Sequence, residues 1–105
     1  MNDFGLPEQD IDLITSVFVT FPEIMEAYIF GSRAKGNYKK GSDVDIALKG
    51  ENLTLQLIST ISYSLNEETN LPYKFDILNF HSIKNSELTD HINRVGVCIF
   101  SRKTV

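Results

Sequence analysis

The chain has 105 residues, 42% of them hydrophobic and 23% charged, with a net charge of −4. That length suits a single domain over residues 1–105 with a modest core, and the composition is that of an ordinary globular protein rather than a disordered one. The acidic balance argues against nucleic-acid binding across the whole surface, so no direct nucleic-acid partner is expected.

The N-terminal Met1-Asn2-Asp3-Phe4-Gly5 has no basic region followed by an apolar stretch, so no signal peptide is expected. No run of 18 apolar residues occurs, which removes a transmembrane helix. Cys98 is the sole cysteine and cannot form an internal disulfide. Together these features favour the cytoplasm.

Residues Leu6 to Phe21 predict a helix, with Ile11, Ile14, Phe18 and Phe21 at helical spacing. Pro7 suits its first turn, Glu8 and Asp10 suit its positive end, and Pro22 stops it. Ala27 to Phe30 reads as a strand and Gly31 to Ser42 as a loop in which Gly31, Gly36 and Gly41 are free to take positive φ. Asp43 to Leu48 reads as a second strand, followed by a turn at Lys49 to Asn52. A second helix is expected over Leu53 to Leu65, burying Leu53, Leu57, Ile58, Ile61 and Leu65. Tyr73 to Asn79 reads as a third strand, Asn85 to Val95 as a third helix closed by Gly96, and Val97 to Phe100 as a fourth strand before a polar tail. This order predicts an α/β (α+β) fold, a small mixed β-sheet flanked by helices.

The chemistry concentrates between residues 31 and 45. From Gly31 to Ser42 there are four cations (Arg33, Lys35, Lys39, Lys40) and no acid, whereas the rest of the chain sets six cations against fourteen acids, a balance of −8. This basic island ends in Asp43 and Asp45. At i and i+2 of a strand their side chains share a face, with Cα atoms roughly 6.5–7 Å apart. Paired carboxylates repel unless a cation lies between them, and Mg²⁺ prefers such hard oxygens.

Asp76 interrupts a third apolar run, Phe75-Asp76-Ile77-Leu78. If that strand lies beside the second, Asp76 completes a three-carboxylate site, with room for two metal ions roughly 3.5–4 Å apart. Otherwise Asp76 is a solvent-facing acid on an edge. Backbone N–H groups at Gly31-Ser32, the Ser32 hydroxyl and the cations Arg33 and Lys35 could hold phosphate oxygens. Each of these has a plainer reading as a solvated turn or surface charge.

Gly31-Ser32, ten intervening residues, then Asp43-Val44-Asp45 resembles the signature of the DNA polymerase β-like nucleotidyltransferase superfamily. The extended Phe30-Gly31-Ser32-Arg33-Ala34-Lys35-Gly36, with Ser42-Asp43-Val44-Asp45-Ile46-Ala47-Leu48, is similar to its minimal nucleotidyltransferase (MNT) branch, and Asp76 matches the third carboxylate. One departure is Lys35, where that loop commonly carries Arg; Lys keeps the charge without the bidentate fork.

The resemblance implies the polymerase β-like fold and metal-dependent transfer of a nucleoside monophosphate from a triphosphate to a hydroxyl. It implies Asp43, Asp45 and Asp76 as Mg²⁺ ligands, with Asp76 alternatively activating the acceptor hydroxyl. It implies Gly31 and Ser32, aided by Arg33 and Lys35, as the triphosphate site. It further implies an antitoxin that moves AMP from ATP to a tyrosine of a HEPN-domain toxin within a hetero-oligomer.

Only 29 residues follow Asp76, which leads to the expectation that a partner chain supplies the missing wall of the pocket. Two alternatives stay open: an antitoxin acting by contact alone, and a nucleotidyltransferase for a small alcohol. The residues themselves identify neither the nucleotide base nor the acceptor.

Other residues read as structural. His81 and His91 lack the i, i+4 spacing of a helical metal site and read as surface or helix-edge positions. Cys98, among Val97, Ile99 and Phe100, reads as a buried small hydrophobe. Tyr28 reads as core or partner-facing, Tyr38 as a cap on the basic loop rather than a base-stacking ring, and Tyr63 as the margin of a helix face.

Overall fold

The computed structural model describes residues 4–39 and 41–102. Lys40, counted in the basic island, the first three residues of the N-terminus and the polar tail at 103–105 lie outside the described residues. The elements are α1 (Glu8–Val19), β1 (Glu26–Phe30), α2 (Gly31–Lys35), β2 (Val44–Lys49), α3 (Leu55–Glu67), β3 (Phe75–Asn79), a 3₁₀ turn (Phe80–Ser82), α4 (Ser86–Val95) and β4 (Val97–Ser101).

Helix ends follow the chemistry of their first and last residues. The Pro7 carbonyl accepts the N–H groups of Asp10 and Ile11 at 2.9 and 3.1 Å, so Pro7 stands just before α1 rather than within its first turn. Thr54 caps α3 by accepting the Leu57 N–H, and Asn85 caps α4 by accepting those of Glu87 and Leu88. Gly96 ends α4 at φ −61°, so its need for glycine is not a left-handed φ; a Cβ there would overlap the Ile92 carbonyl oxygen. The expected 31–42 loop is in fact helical over Gly31–Lys35, and Gly36 ends that helix with φ +81°.

The four strands form one mixed sheet in the order β3-β2-β1-β4. β1 runs antiparallel to β2 and β4, while β2 and β3 are parallel and joined through α3. α1 and α3 cover one face: Ile14, Phe18, Ile61 and Leu65 pack against Ala27, Ile29, Val44, Ile46, Leu48, Phe75 and Ile77. Each large side chain buried there contributes about 1.5–3 kcal/mol. α4 partly covers the other face, where Ile92 meets Phe30 and Ala47. β2 is therefore packed on both sides and reads as a nearly continuous apolar run. Asp45 and Lys49 are the charged residues that break it.

The β3 edge is partly satisfied by a side chain. The Asn66 carboxamide donates to the Phe75 carbonyl at 3.0 Å and accepts the Phe75 N–H at 2.8 Å, as a neighbouring strand would. β4 forms the opposite edge, and Cys98 lies there exposed. The buried position expected for it fails: β4 is an edge strand with β1 as its one neighbour among the described residues, and Cys98 is exposed on it. No helix among the described residues is long and apolar enough to cross a membrane.

Candidate active site

Three chain segments meet at one end of the sheet. β1 finishes at Phe30, which pairs with Asp45 of β2, and Asp45 pairs in turn with Asp76 of β3. The Gly31-Ser32 turn therefore leaves β1 directly beside Asp45. The approach is close: a Cβ on Gly31 would overlap Asp45 Oδ2, and Gly31 itself holds φ +74°. Both observations demand glycine at this position.

Asp43 lies in the segment immediately before β2 rather than on the strand, and it is exposed. The same-face argument drawn from strand geometry therefore does not apply to it. It is nonetheless near enough to act on Asp45. Burial first, then the charges of Asp76 and Asp43, push the Asp45 carboxyl above the ordinary carboxylate range. Asp76 is exposed on edge strand β3. Its place opposite Asp45, and not burial, makes it part of the cluster.

The three carboxylates present hard oxygen donors of the kind Mg²⁺ takes. Among the described residues no group of three His, Cys, Asp or Glu side chains is gathered closely enough to hold a metal as it stands. The upward push on Asp45 comes first from burial and then from the charges of Asp76 and Asp43. The donor chemistry of the three carboxylates fits a divalent cation.

The four residues read as triphosphate partners divide into different roles. Ser32 is half-buried in the first turn of α2, where N–H groups have no partner within their own helix. Lys35 is exposed at the end of the same helix. Arg33 is placed differently from Ser32 and Lys35. It is 3% exposed, and its guanidinium donates from Nη1 to the Phe4 carbonyl at 3.0 Å. Nε and Nη2 donate to the Ser42 carbonyl at 3.2 and 2.9 Å.

Its charge also lies 5.2 Å from the Tyr38 ring centre and 5.1 Å from that of Tyr73. Arg33 is thus a strut that ties the end of the 31–42 segment to the N-terminal segment, with its donors turned away from solvent. Tyr38 caps this strut, in agreement with the plainer expectation for it. The Tyr73 hydroxyl donates to Asp10 Oδ2 at 2.6 Å; burial and that acid push its pKa up to about 12.

The structure brings in one residue that the sequence pointed away from. His91, on α4, receives the Gly31 N–H on Nε2 at 3.0 Å and stands edge-on to Phe30 at 6.2 Å. The partners lie 60 positions apart, so no local spacing could reveal the pairing. His81 is exposed on the 3₁₀ turn, in line with its expected surface position.

Comparison with known proteins follows the same outline. A family model described as Polymerase beta, Nucleotidyltransferase matches residues 12–105. No curated protein matched the sequence. Among solved structures, a chain in a toxin–antitoxin complex with AMP-PNP superposes with a TM-score of 0.74 at 20% identity, covering 90% of this chain and 75% of that one. A chain of the MntA-HepT toxin–antitoxin superposes with a TM-score of 0.70 at 17% identity, covering 91% and 74%. A third structure contains a tri-AMPylated Shewanella oneidensis HEPN toxin with an MNT antitoxin; its TM-score is 0.66 at 18% identity, covering 88% and 70%. At these identities the likeness is one of fold.

Proposed function

This chain belongs to the polymerase beta nucleotidyltransferase family, and from that premise we propose that it transfers AMP from ATP to a hydroxyl on a partner protein. The partner class we propose is a HEPN toxin, the acceptor a tyrosine, and the result toxin neutralisation. The observation that carries the reading is the pairing of Asp45 with Asp76 across parallel strands, beside a Gly31-Ser32 turn that exits the neighbouring strand. The AMP-PNP complex and the tri-AMPylated toxin complex among the structural neighbours support ATP as donor and protein as acceptor. A reaction that consumes a nucleoside triphosphate also favours a cytoplasmic setting.

Asp43, Asp45 and Asp76 are the residues that would hold Mg²⁺. When bound, Mg²⁺ supplies counter-charge for the triphosphate and Lewis-acid activation. The Ser32 hydroxyl and the first-turn N–H groups of α2 that follow Gly31 donate to phosphate oxygens, and Lys35 adds positive charge from the rim. Arg33 keeps this segment in place from beneath. The acceptor oxygen bonds to the α-phosphorus, the bond from that phosphorus to the bridging oxygen breaks, and pyrophosphate leaves with the electron pair. In the alternative to metal ligation, Asp76 would take the acceptor proton, and its exposure at the sheet edge supports that reading.

The test is the double variant Asp43→Ala with Asp45→Ala, incubated with α-labelled ATP and the co-expressed partner. Loss of label and of a one-AMP mass increase on the partner, with the variant still folded, is the expected result. Persistent labelling overturns the assignment of the acids. Neutralisation that survives without labelling points to contact alone, and labelling of a small alcohol but never the partner points to a small-molecule acceptor.

A further inference from the structure

We propose that His91 is a positioning residue for nucleotide binding, acting through Gly31: its side chain fixes the turn so that Ser32 faces the triphosphate. The inference rests on the nucleotidyltransferase reading above and adds to it a residue from a different element, α4.

The Gly31 N–H opens the turn, and in a bare turn it would be one of the phosphate donors. Here it is engaged by His91 Nε2 at 3.0 Å. Gly31 therefore contributes its shape, not its N–H. It holds φ +74° and leaves room for Asp45 Oδ2, where any Cβ would intrude. Glycine is the residue least able to hold such a conformation by itself, because its backbone has the widest freedom to lose. An external acceptor supplies the restraint the sequence lacks at this point.

The imidazole is suited to that task. Accepting at Nε2 requires the neutral ring with its proton on Nδ1. Burial, then the nearby cations Lys35 of α2 and Arg94 of α4, lower the proton affinity of His91 below that of ordinary imidazole and favour the neutral form. Its place is also fixed mechanically. The ring stands edge-on to Phe30 at 6.2 Å, and the adjacent Ile92 is buried against Phe30 and Ala47. α4 thus reaches the phosphate turn through one hydrogen bond, anchored by an apolar contact next to it.

The variants that test this are His91→Leu, which keeps bulk and loses the acceptor, and His91→Gln, whose side-chain oxygen can accept the same N–H. With AMP-PNP as probe and Mg²⁺ present, His91→Leu is expected to weaken binding roughly three- to tenfold, the loss of one hydrogen bond. The KM for ATP rises to match while kcat stays near the wild-type value. His91→Gln is expected to restore most of the affinity.

Hydrogen exchange at the Gly31 amide reads the bond without any nucleotide: exchange is faster in His91→Leu and slowed again in His91→Gln. Gly31 exchange that accelerates while affinity and KM stay at wild-type values overturns the proposal, as does tighter binding by His91→Leu, which would make His91 a competitor of phosphate. If His91→Leu fails to fold, His91→Gln carries the test: a protected Gly31 amide with wild-type KM sustains the proposal, and a protected amide with a raised KM overturns it. Wild-type protein that binds no AMP-PNP fails the nucleotidyltransferase reading itself, and is told apart because the exchange pattern at Gly31 is then unaffected.

Discussion

Replacing Arg33 by Lys separates two uses of a cation that the sequence alone cannot distinguish. Arg33 is 3% exposed and donates to two backbone carbonyls, that of Phe4 at 3.0 Å and that of Ser42 at 3.2 and 2.9 Å. Its guanidinium also lies near the rings of Tyr38 and Tyr73, at 5.2 and 5.1 Å. Hydrogen bonds from a charged donor contribute roughly 1.5–3 kcal/mol each, and a desolvated cation over a ring up to about 2 kcal/mol. Lysine keeps the charge but replaces the guanidinium's spread donors with a single ammonium, which does not reproduce the fork that meets both carbonyls.

Allowing for the bond that lysine recovers, Arg33→Lys is expected to cost about 3 kcal/mol. At about 4 °C or more per kcal/mol for a domain of this size, Tm falls by at least roughly 12 °C. The assay is a thermal melt paired with AMP-PNP titration at a temperature where the variant is folded. Wild-type affinity for the folded variant, with the lowered Tm, is the expected pair. An unchanged Tm with nucleotide affinity reduced about tenfold would refute the strut and return Arg33 to the triphosphate.

Asp45→Asn is expected to raise Tm at neutral pH in the absence of divalent cations. An acid whose folded pKa is raised binds its proton more tightly in the folded state, so its ionised form opposes folding. That cost is absent below the ordinary carboxylate range, grows as pH rises through the raised value, and is complete above it. The Tm difference should therefore close at acid pH, and melts that differ equally at both extremes would contradict it. Gly31→Ala is expected to lose about 1–2 kcal/mol for the left-handed backbone alone, and more from overlap with Asp45 Oδ2; urea unfolding measures it, and a neutral effect would mean that the turn relaxes. Asn66→Ala removes both side-chain bonds to Phe75 and is expected to cost about 1–3 kcal/mol. Faster amide exchange at Phe75 is the matching local signal, and unchanged exchange would show that Asn66 is dispensable to the edge.

Much of the fold is written in local patterns. Each helix and strand expected from apolar spacing forms, with ends displaced by a few residues. The displacements have particular causes. Leu53 is buried, yet it precedes α3 because Thr54 is the capping residue. Asp43 falls just outside β2, which begins at Val44. The Gly31–Lys35 helix is hidden because a five-residue helix is too short to show a period. Cys98 misleads because a run such as Val97-Cys98-Ile99-Phe100 does not reveal how many neighbours its strand has.

Residue type and short spacing are enough to mark the candidate residues: two acids one residue apart, a third in a later apolar run, and a glycine-serine turn after a strand. Which of these residues meet depends on the packing of distant segments. That packing set Asp76 opposite Asp45 and brought His91 across 60 positions to the Gly31 N–H. It also turned Arg33 inward to carbonyls from two separate segments. The reason is physical. Periodicity reports which face of an element seeks the core, and that is a local property. Hydrogen-bond partners and charge neighbours depend on strand order and helix placement, which arise when distant segments share one core.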